Sequence, residues 1–398
     1  MTTDSPGVPY FFILAGVLGA ASFWSTASAE LAGILLLIAG GVQAFHAVRS
    51  GSPLRGEVVS QIPRLPLLLS AVYIASTTVS VVSSGAPLYR YGGLLWHPLL
   101  FMAALFVPVN RRGLGIAGML FLLSGAVAAP VTLIVNLLRD HPGPLAAFTG
   151  LTTFADLLAL AGSVAFSLLF PAGRPRRPVW LFALPILMIA LVLVWSAERA
   201  PVFVLALAGG ACAGAAGPRW LASSVLIAGV CLLVVPRGLS EKMDWLIRGY
   251  PVDRYVVWEE GLKLVPGAPL FGYGPGSYTT VLPPSARGRF INRAPSSWHN
   301  DLLETWLDSG PLAAMALGGL LLLGASRGIR GALRRGRGAG ELLNREPGLL
   351  FLCLASFGLV GSVVTTSVLG LSFWVLLGLT LNRRAGPSRP VAGAPLSS

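Results

Sequence analysis

Residues 298–325 read WHNDLLETWLDSGPLAAMALGGLLLLGA. The first ten of them mix polar and apolar side chains, and Leu302, Leu303, Trp306 and Leu307 recur at helical spacing. From residue 309 to residue 325 the stretch carries no charge, and a helix needs about 20 mostly apolar residues to cross a bilayer. This stretch therefore predicts a helix that starts outside a membrane and continues into it.

The rest of the chain has the same membrane character. Of its 398 residues, 54% are hydrophobic and 11% are charged, and the mean hydropathy is +0.74. A soluble domain carries about 25% charged residues, so this chain lacks the charge to cover a water-exposed surface. The composition excludes an ordinary cytosolic enzyme and a disordered protein. We also expect no nucleic-acid partner, despite the net charge of +13.

Apolar windows of membrane-crossing length recur along the chain. They cover residues 9–27, 30–48, 66–84, 92–109, 113–136, 146–170, 178–196, 201–217, 220–236, 308–325, 348–366 and 368–382. We predict an all-α polytopic membrane protein with about 12 transmembrane helices. Residues 1–236 would hold the first nine, residues 237–307 a long polar loop, and residues 308–398 the last three helices and a tail.

The basic residues indicate which joints between the windows face the cytoplasm. With the N-terminus inside, 18 of the 29 Lys and Arg residues lie in cytoplasmic joints, and the short outer joints hold only Arg90, Arg139 and Arg199. The positive-inside rule then predicts that both termini are cytoplasmic and that the long loop is on the outer face. Residues 27–29 (ASA) resemble a signal-peptidase site, but residues 1–10 contain no Lys or Arg, so we expect the first window to be retained.

The long loop is the expected location of function, because polar loops on rigid scaffolds often carry binding and catalytic residues. Arg254, Val257, Trp258 and Gly261 have the spacing of a short helix at the membrane surface. Residues 271–276 (FGYGPG) predict a turn. Their glycine pattern is similar to that of a dinucleotide-binding loop, but no alternation of strands and helices surrounds it, so we discount that function.

His299 is the only histidine in the loop. One interpretation is an interfacial residue that caps a helix. The other is a general base, because a place in the first turn of a helix, beside arginines, would keep the imidazole neutral and able to accept a proton from a hydroxyl. We favour the general base.

Arg199 and Arg254 are candidate ligands for an anion. Each has an ordinary alternative, because Arg199 could be a snorkelling anchor paired with Glu198 and Arg254 could form a surface ion pair with Asp253. Two arginines near one histidine would suit a diphosphate, since guanidinium groups match phosphate oxygens without a metal ion. We expect no metal and no cofactor, because the cysteines and the remaining histidines show no ligand spacing.

Three motifs in this order resemble the O-antigen ligase and Wzy-type polysaccharide polymerase superfamily of bacterial inner-membrane proteins. The first is Ser-x-x-Arg at 196–199, and the second is Arg-x-x-x-Trp at 254–258 followed by PLFGYGPGSY at 269–278. The third and most specific is HNDLLExxxDxG at 299–310. Together the motifs cover about residues 195–325. Glu198 and Ala200 depart from the pattern, since members often have a small residue before this arginine and glycine after it.

The resemblance implies a GT-C-like membrane enzyme that acts at the periplasmic face. Such an enzyme transfers a glycan from undecaprenyl diphosphate to a sugar hydroxyl, with inversion at the anomeric carbon. By position, Arg199 and Arg254 would hold the diphosphate and stabilise the leaving group, and His299 would take the acceptor proton. The implied partners are the lipid-linked glycan donor, a glycan or glycolipid acceptor and the bilayer of the inner membrane.

Residues beside these three are expected to contact the glycan. Asn300 directly follows the candidate base. Trp258 and Tyr278, with Tyr273 and Trp298, would form sugar-stacking walls or interfacial anchors.

Two other functions remain open. One is a protein O-oligosaccharyltransferase, whose acceptor is a Ser or Thr of a protein. The other is a transporter or flippase of lipid-linked glycans that uses Asp156 and Asn136 as polar sites inside the membrane. Asp156 could equally pack a helix through Thr152 or Thr153. A transporter should have interrupted spans in both halves, whereas here the polar residues concentrate in one loop.

Overall fold

The computed structural model describes residues 8–49, 63–106, 111–138, 151–169, 180–196, 199–216, 253–287, 289, 297–333 and 345–382. Within these ranges the chain is helical and contains no strand. The prediction of an all-α protein is confirmed for this part of the chain.

The helices are numbered here in chain order. The apolar helices before the long loop are α1 (Val8–Ala21), α2 (Thr26–Arg49), α3 (Arg64–Ser83), α4 (Leu88–Phe106), α5 (Arg111–Leu138), α6 (Leu151–Leu169), α7 (Trp180–Ser196) and α8 (Arg199–Ala216). The loop contains α9 (Asp253–Leu264), a 3-10 turn (Val265–Gly267), α10 (Tyr278–Val281) and α11 (Pro284–Arg287). After it come α12 (Asp301–Leu333), α13 (Arg345–Val360) and α14 (Ser367–Leu381). Every predicted apolar window coincides with a helix except 220–236, which lies outside the described residues.

In the part of the chain that the structure describes, three helices are long and apolar enough to cross a membrane. They are α3, Gly113–Val135 within α5 and Asp301–Arg330 within α12, with mean hydropathies of 1.9, 2.1 and 1.6. The other apolar helices are shorter. Large apolar side chains also lie on the outside, and on α2 the side chains of Leu31, Ile38 and Phe45 are more than half exposed. A surface of this kind suits lipid rather than water, and we conclude that this is a membrane protein.

Small residues let α4 approach its neighbours closely. At Gly40 on α2, an added Cβ would lie 2.6 Å from the Cβ of Ala103 on α4. At Gly378 on α14, an added Cβ would lie 2.6 Å from the Cβ of Ala104. In lipid, helices associate through this kind of van der Waals packing, because the bilayer provides little hydrophobic driving force between them.

The long helix α12 is bent near its first apolar turn. Gly310 has φ 88° and ψ 171°, outside the helical range, and Pro311 follows without an N–H group to donate. A side chain at Gly310 would overlap the carbonyl oxygen of Leu270. The bend releases the carbonyl groups of the residues just before it, Leu307 and Asp308, from regular helical hydrogen bonding.

Two other segments satisfy the released carbonyl groups. In the glycine-rich turn, the N–H of Tyr273 donates to Leu307 at 2.7 Å and the N–H of Gly274 donates to Asp308 at 3.1 Å. Two hydroxyl groups of α3 bind the same segment. The Ser80 hydroxyl donates to the backbone carbonyl oxygen of Asp308 at 2.5 Å, and the Ser76 hydroxyl donates to the backbone carbonyl oxygen of Ser309 at 2.8 Å. The bend therefore joins the loop, α3 and α12 at one place.

The connection between α13 and α14 is also fixed by α12. Helix α13 ends at Val360, so the predicted window 348–366 is six residues too long at its end. The carboxylate of Asp301 accepts a hydrogen bond from the N–H of Val364 at 3.0 Å, and Glu304 accepts one from the hydroxyl of Ser362 at 2.6 Å. Two acidic residues at the start of α12 therefore hold residues 361–366.

Candidate functional site

The described part of the loop packs on the start of α12. We call residues 253–287 and 297–300 the cap. The cap and the first two turns of α12 share an apolar core separate from that of the membrane helices, which consists of Val257, Tyr278, Leu282, Ala286, Trp298, Leu303 and Leu307. Trp298 is fully buried at its centre, and an added Cβ at Gly261 would lie 2.9 Å from the Trp298 ring. Close approach of α9 to Trp298 therefore needs glycine at this position.

Helix α9 carries two of the predicted site residues. The helix predicted from the spacing of Arg254, Val257, Trp258 and Gly261 is confirmed as Asp253–Leu264. Val257 and Gly261 are buried, whereas Arg254 and Trp258 are half-buried. The indole N–H of Trp258 is shared between the carbonyl oxygens of Trp298 at 3.0 Å and His299 at 3.3 Å. Trp258 therefore fixes the backbone that carries the candidate base.

His299 lies just outside α12 rather than in its first turn. The helix begins at Asp301, and Asn300 caps it by accepting a hydrogen bond from the N–H of Leu303 at 2.9 Å. His299 precedes this cap with φ 52°, in the left-handed region, which few residues other than glycine adopt. The sequence spacing could not reveal this, because the helix boundary depends on the backbone turn at His299.

The environment of His299 keeps its imidazole neutral. Burial, and to a smaller extent the positive charge of Arg254, together lower the pKa of His299 to about 4. The neutral ring agrees with the prediction, but the main cause is burial and not the helix dipole. A neutral imidazole can accept a proton from a hydroxyl, which is the chemistry of a general base.

The structure places two of the three predicted catalytic residues within electrostatic range of each other. Arg254 lies close enough to His299 to lower the pKa of the imidazole. Arg199 is the first residue of α8, which packs against α12 and α13, but its side chain lies outside the described residues. The same is true of Glu198, the suggested partner of Arg199. The prediction that Arg199 reaches His299 stays a prediction.

Three of the predicted contacts with substrate, Asn300, Tyr278 and Trp298, are held by other parts of the protein. The Nδ2 of Asn300 donates to the carbonyl oxygen of Leu359 at 2.9 Å, and its Oδ1 accepts from the N–H of Leu303. Both polar atoms of the side-chain amide are therefore hydrogen-bonded within the protein. Tyr278 is 5% exposed and lies edge-to-face on Trp298, with 5.2 Å between the ring centroids. Because the rings of Tyr278 and Trp298 are both buried, neither has an exposed face on which a sugar could stack. This corrects the expectation for Tyr278 and Trp298, which are core residues of the cap.

Asp308 is the residue of this region that sequence reasoning missed. Its Oδ2 accepts a hydrogen bond from the N–H of Gly276 at 2.9 Å. Its Oδ1 accepts from both the N–H and the hydroxyl of Ser277, at 3.1 and 2.5 Å. The glycine-rich turn therefore wraps a buried carboxylate instead of a nucleotide. In the sequence, this contact is indicated by an acidic residue at the start of an apolar span and by a glycine-rich turn, since the N–H groups of such a turn can bind a carboxylate.

The outer surface of α9 carries a small ion network. Lys263 contacts Glu259 and Glu260 at 2.8 Å, and the guanidinium of Arg289 contacts the same two carboxylates at 2.8 Å. Hydrogen bonds from Lys263 and Arg289 lower the pKa of Glu259 to about 2. The network holds the chain after α11 against α9, on the side of the cap exposed to solvent.

Two polar positions lie among the membrane helices. Asp156 is buried in the second turn of α6, and the choice between an ion site and a packing role stays open. Asn136 is in α5, but its side chain is not described. Helices α2 and α4 are joined by a further polar pair, in which His97 Nε2 lies 3.3 Å from Glu30. The two residues are 67 positions apart, so no local pattern could have joined them.

Among the described residues, no group of three His, Cys, Asp or Glu side chains is placed to hold a metal ion. The sequence matches no protein-family model and no curated protein.

Proposed function

We propose that this protein transfers a glycan from undecaprenyl diphosphate to an acceptor sugar hydroxyl, as an O-antigen ligase or a polysaccharide polymerase. The observation that carries the proposal is the neutral, half-buried imidazole of His299 beside Arg254, at the start of an apolar helix long enough to cross a membrane. A base and a cation at a membrane boundary match a reaction between a hydroxyl nucleophile and a lipid-linked anion.

In the proposed reaction, His299 removes the proton from the acceptor hydroxyl as its oxygen attacks the anomeric carbon. The bond between that carbon and the phosphate oxygen breaks, and undecaprenyl diphosphate leaves with the bonding electrons. Arg254 stabilises the charge that develops on the leaving phosphate, and Arg199 is assigned the same role by the family resemblance. The low pKa of His299 keeps the ring unprotonated before each attack.

The proposal includes a topology. Twelve spans would place both termini in the cytoplasm and the cap in the periplasm, where lipid-linked glycans are polymerised and ligated. The excess of basic residues in the predicted cytoplasmic joints supports this orientation. The helices found at the predicted windows support the span count for the described part of the chain.

The experiment that tests the proposal compares two histidine variants in a bacterial strain that lacks the gene. His299→Ala should abolish assembly of the glycan, and His141→Ala should restore it as well as the wild-type gene does. His141 is predicted at the same outer face but lies outside the cap. Immunoblots of the membranes check that both variants accumulate. Complete glycan in cells that carry only His299→Ala would reject the proposal.

The gel pattern of the deletion strain identifies the acceptor. Loss of the lipid-anchored ladder alone indicates a ligase, and a product with a single repeat indicates a polymerase. Unaltered surface glycan together with unmodified glycoproteins would instead indicate transfer to protein.

A further inference from the structure

We propose that Asp308 is a positioning residue for His299, and that it acts through Ser277 and Trp298. This inference rests on the proposed function, in which His299 is the base. Asp308 does not approach the reacting atoms. It fixes a buried chain of hydrogen bonds that ends at the backbone of the candidate base.

The first link joins Asp308 to the glycine-rich turn. Three donors converge on one carboxylate: the N–H groups of Gly276 and Ser277, and the Ser277 hydroxyl. Asp308 and Ser277 are 5% and 1% exposed, so water cannot replace these bonds. Gly272 is needed for the approach, because an added Cβ there would lie 2.5 Å from the Asp308 carbonyl group.

The second link joins the turn to Trp298. The indole N–H of Trp298 lies 3.2 Å from the hydroxyl oxygen of Ser277. An indole N–H can only donate, so the Ser277 oxygen accepts this bond and its own proton points to Asp308. The Ser277 hydroxyl is thus fixed on both sides, and it fixes the rotation of the Trp298 ring.

The third link joins Trp298 to the candidate base. His299 follows Trp298 directly and has a left-handed backbone, a conformation that persists only when its surroundings determine it. The Trp298 side chain is held by Ser277, and the carbonyl groups of residues 298 and 299 are held by Trp258. Trp258 lies one helical turn after Arg254 on α9. The chain of bonds therefore holds the backbone of His299 in place, within electrostatic range of Arg254.

A purely structural role for Asp308 would change the amount of folded protein but not the titration of His299. A positioning role changes both the transfer rate and the titration, because a displaced imidazole is better hydrated and further from Arg254. Either change moves the pKa of His299 upward, toward its ordinary value of 6.5.

The test uses Ser277→Ala as the main variant, because it breaks the chain without removing a charge from a buried site. Its matched control is Thr280→Ala, which removes a hydroxyl of α10, three residues away, that donates to the Ser277 carbonyl oxygen at 3.0 Å. Asp308→Asn is the second variant. Each protein is purified with its bound lipid, and transfer is measured against pH with lipid-linked glycan extracted from the deletion strain.

The second measurement does not depend on activity. Diethyl pyrocarbonate modifies neutral imidazole, and mass spectrometry of the peptide that contains His299 gives its rate of modification at each pH. The wild-type rate should fall only near pH 4. In Ser277→Ala and Asp308→Asn the fall should move toward pH 6.5, and kcat should drop by about tenfold to a hundredfold, as expected for a small misplacement of a catalytic group.

Four outcomes separate the possibilities. Thr280→Ala should retain the wild-type titration, and Trp298→Phe combined with Ser277→Ala should be no worse than either alone, because both remove the same bond. Folded Ser277→Ala with unchanged kcat and unchanged titration of His299 would overturn the positioning role. Full transfer by His299→Ala would instead remove the proposed function, and the modification experiment would still test the positioning of His299 by itself.

Discussion

The carboxylate of Asp301 accepts a hydrogen bond at 3.0 Å from the backbone N–H of Val364, which lies 63 residues further along the chain. Asp301 is 3% exposed, so the bond forms away from water. It connects the first turn of α12, directly after His299 and Asn300, to the loop before α14. The position of the candidate base is thereby tied to the last pair of apolar helices.

Loss of this bond should destabilise the protein. Asp301→Ala leaves the Val364 N–H buried without an acceptor, which costs about 1–3 kcal/mol in the free energy of unfolding. Asp301→Asn keeps a carbonyl oxygen in the same place, so its free energy of unfolding should decrease by less. Thermal unfolding in detergent, followed by circular dichroism, compares the two variants. Equal melting temperatures for the alanine and asparagine variants would show that the hydrogen bond is not the cause.

The bend in α12 should tolerate only glycine at residue 310. Gly310→Ala places an L side chain on a backbone with positive φ, at a cost on the order of 1–3 kcal/mol. The new methyl group would also collide with the carbonyl oxygen of Leu270. Gly318→Ala is the control, because it lies in the same helix and its new Cβ would make an ordinary contact of 3.7 Å with Leu302. Gly310→Ala should unfold at a clearly lower temperature, and Gly318→Ala should stay near the wild type.

The apolar windows and the short helix α9 could be read from the sequence, because both depend on local patterns. Hydrophobic runs and three-to-four spacing are set within one segment of chain. The same reasoning found His299 and Arg254, since a lone histidine and arginines in a polar loop stand out in an apolar protein. Their proximity supports the prediction that they belong to one site.

Long-range contacts could not be predicted in this way. The wrapping of Asp308 by the glycine-rich turn joins residues 31 and 32 positions apart, and it depends on the bend at Gly310. The left-handed backbone of His299 also depends on tertiary contacts, because Trp258 holds its carbonyl group. Aromatic residues in a polar loop predict sugar-stacking walls or interfacial anchors, but Tyr278 belongs to the apolar core beneath the cap, which no local pattern reveals.

The pair between Glu30 and His97 should couple α2 to α4. His97 is almost fully buried, so Glu30→Leu removes the carboxylate that the His97 ring contacts and should destabilise the protein. His97→Leu should also destabilise it, because the Glu30 carboxylate then loses its contact with the imidazole. In a double-mutant cycle, the two changes together should cost less than the sum of the single costs, with a coupling of about 0.5–3 kcal/mol. Denaturation in detergent measures the four free energies of unfolding. Additive costs would mean that the contact contributes nothing to stability.

The charge of Arg254 should influence both the rate and the pH dependence of transfer. Arg254→Gln removes a cation that disfavours the imidazolium form, so the pKa of His299 should rise from about 4 toward its ordinary value of 6.5. The acid limb of the rate profile should then move to higher pH, since protonated His299 cannot act as a base. The rate on the plateau should also fall, by roughly a hundredfold to a thousandfold, because the leaving phosphate loses a charged donor.

The two effects of Arg254→Gln can be separated from each other and from misfolding. Arg254→Lys keeps the positive charge but loses the forked geometry of the guanidinium group. It should therefore retain the wild-type acid limb and show only the lower plateau rate. Transfer rates between pH 4 and pH 8 for the three proteins give both quantities from one set of measurements. An acid limb that stays in place in Arg254→Gln would show that the guanidinium charge does not act on His299.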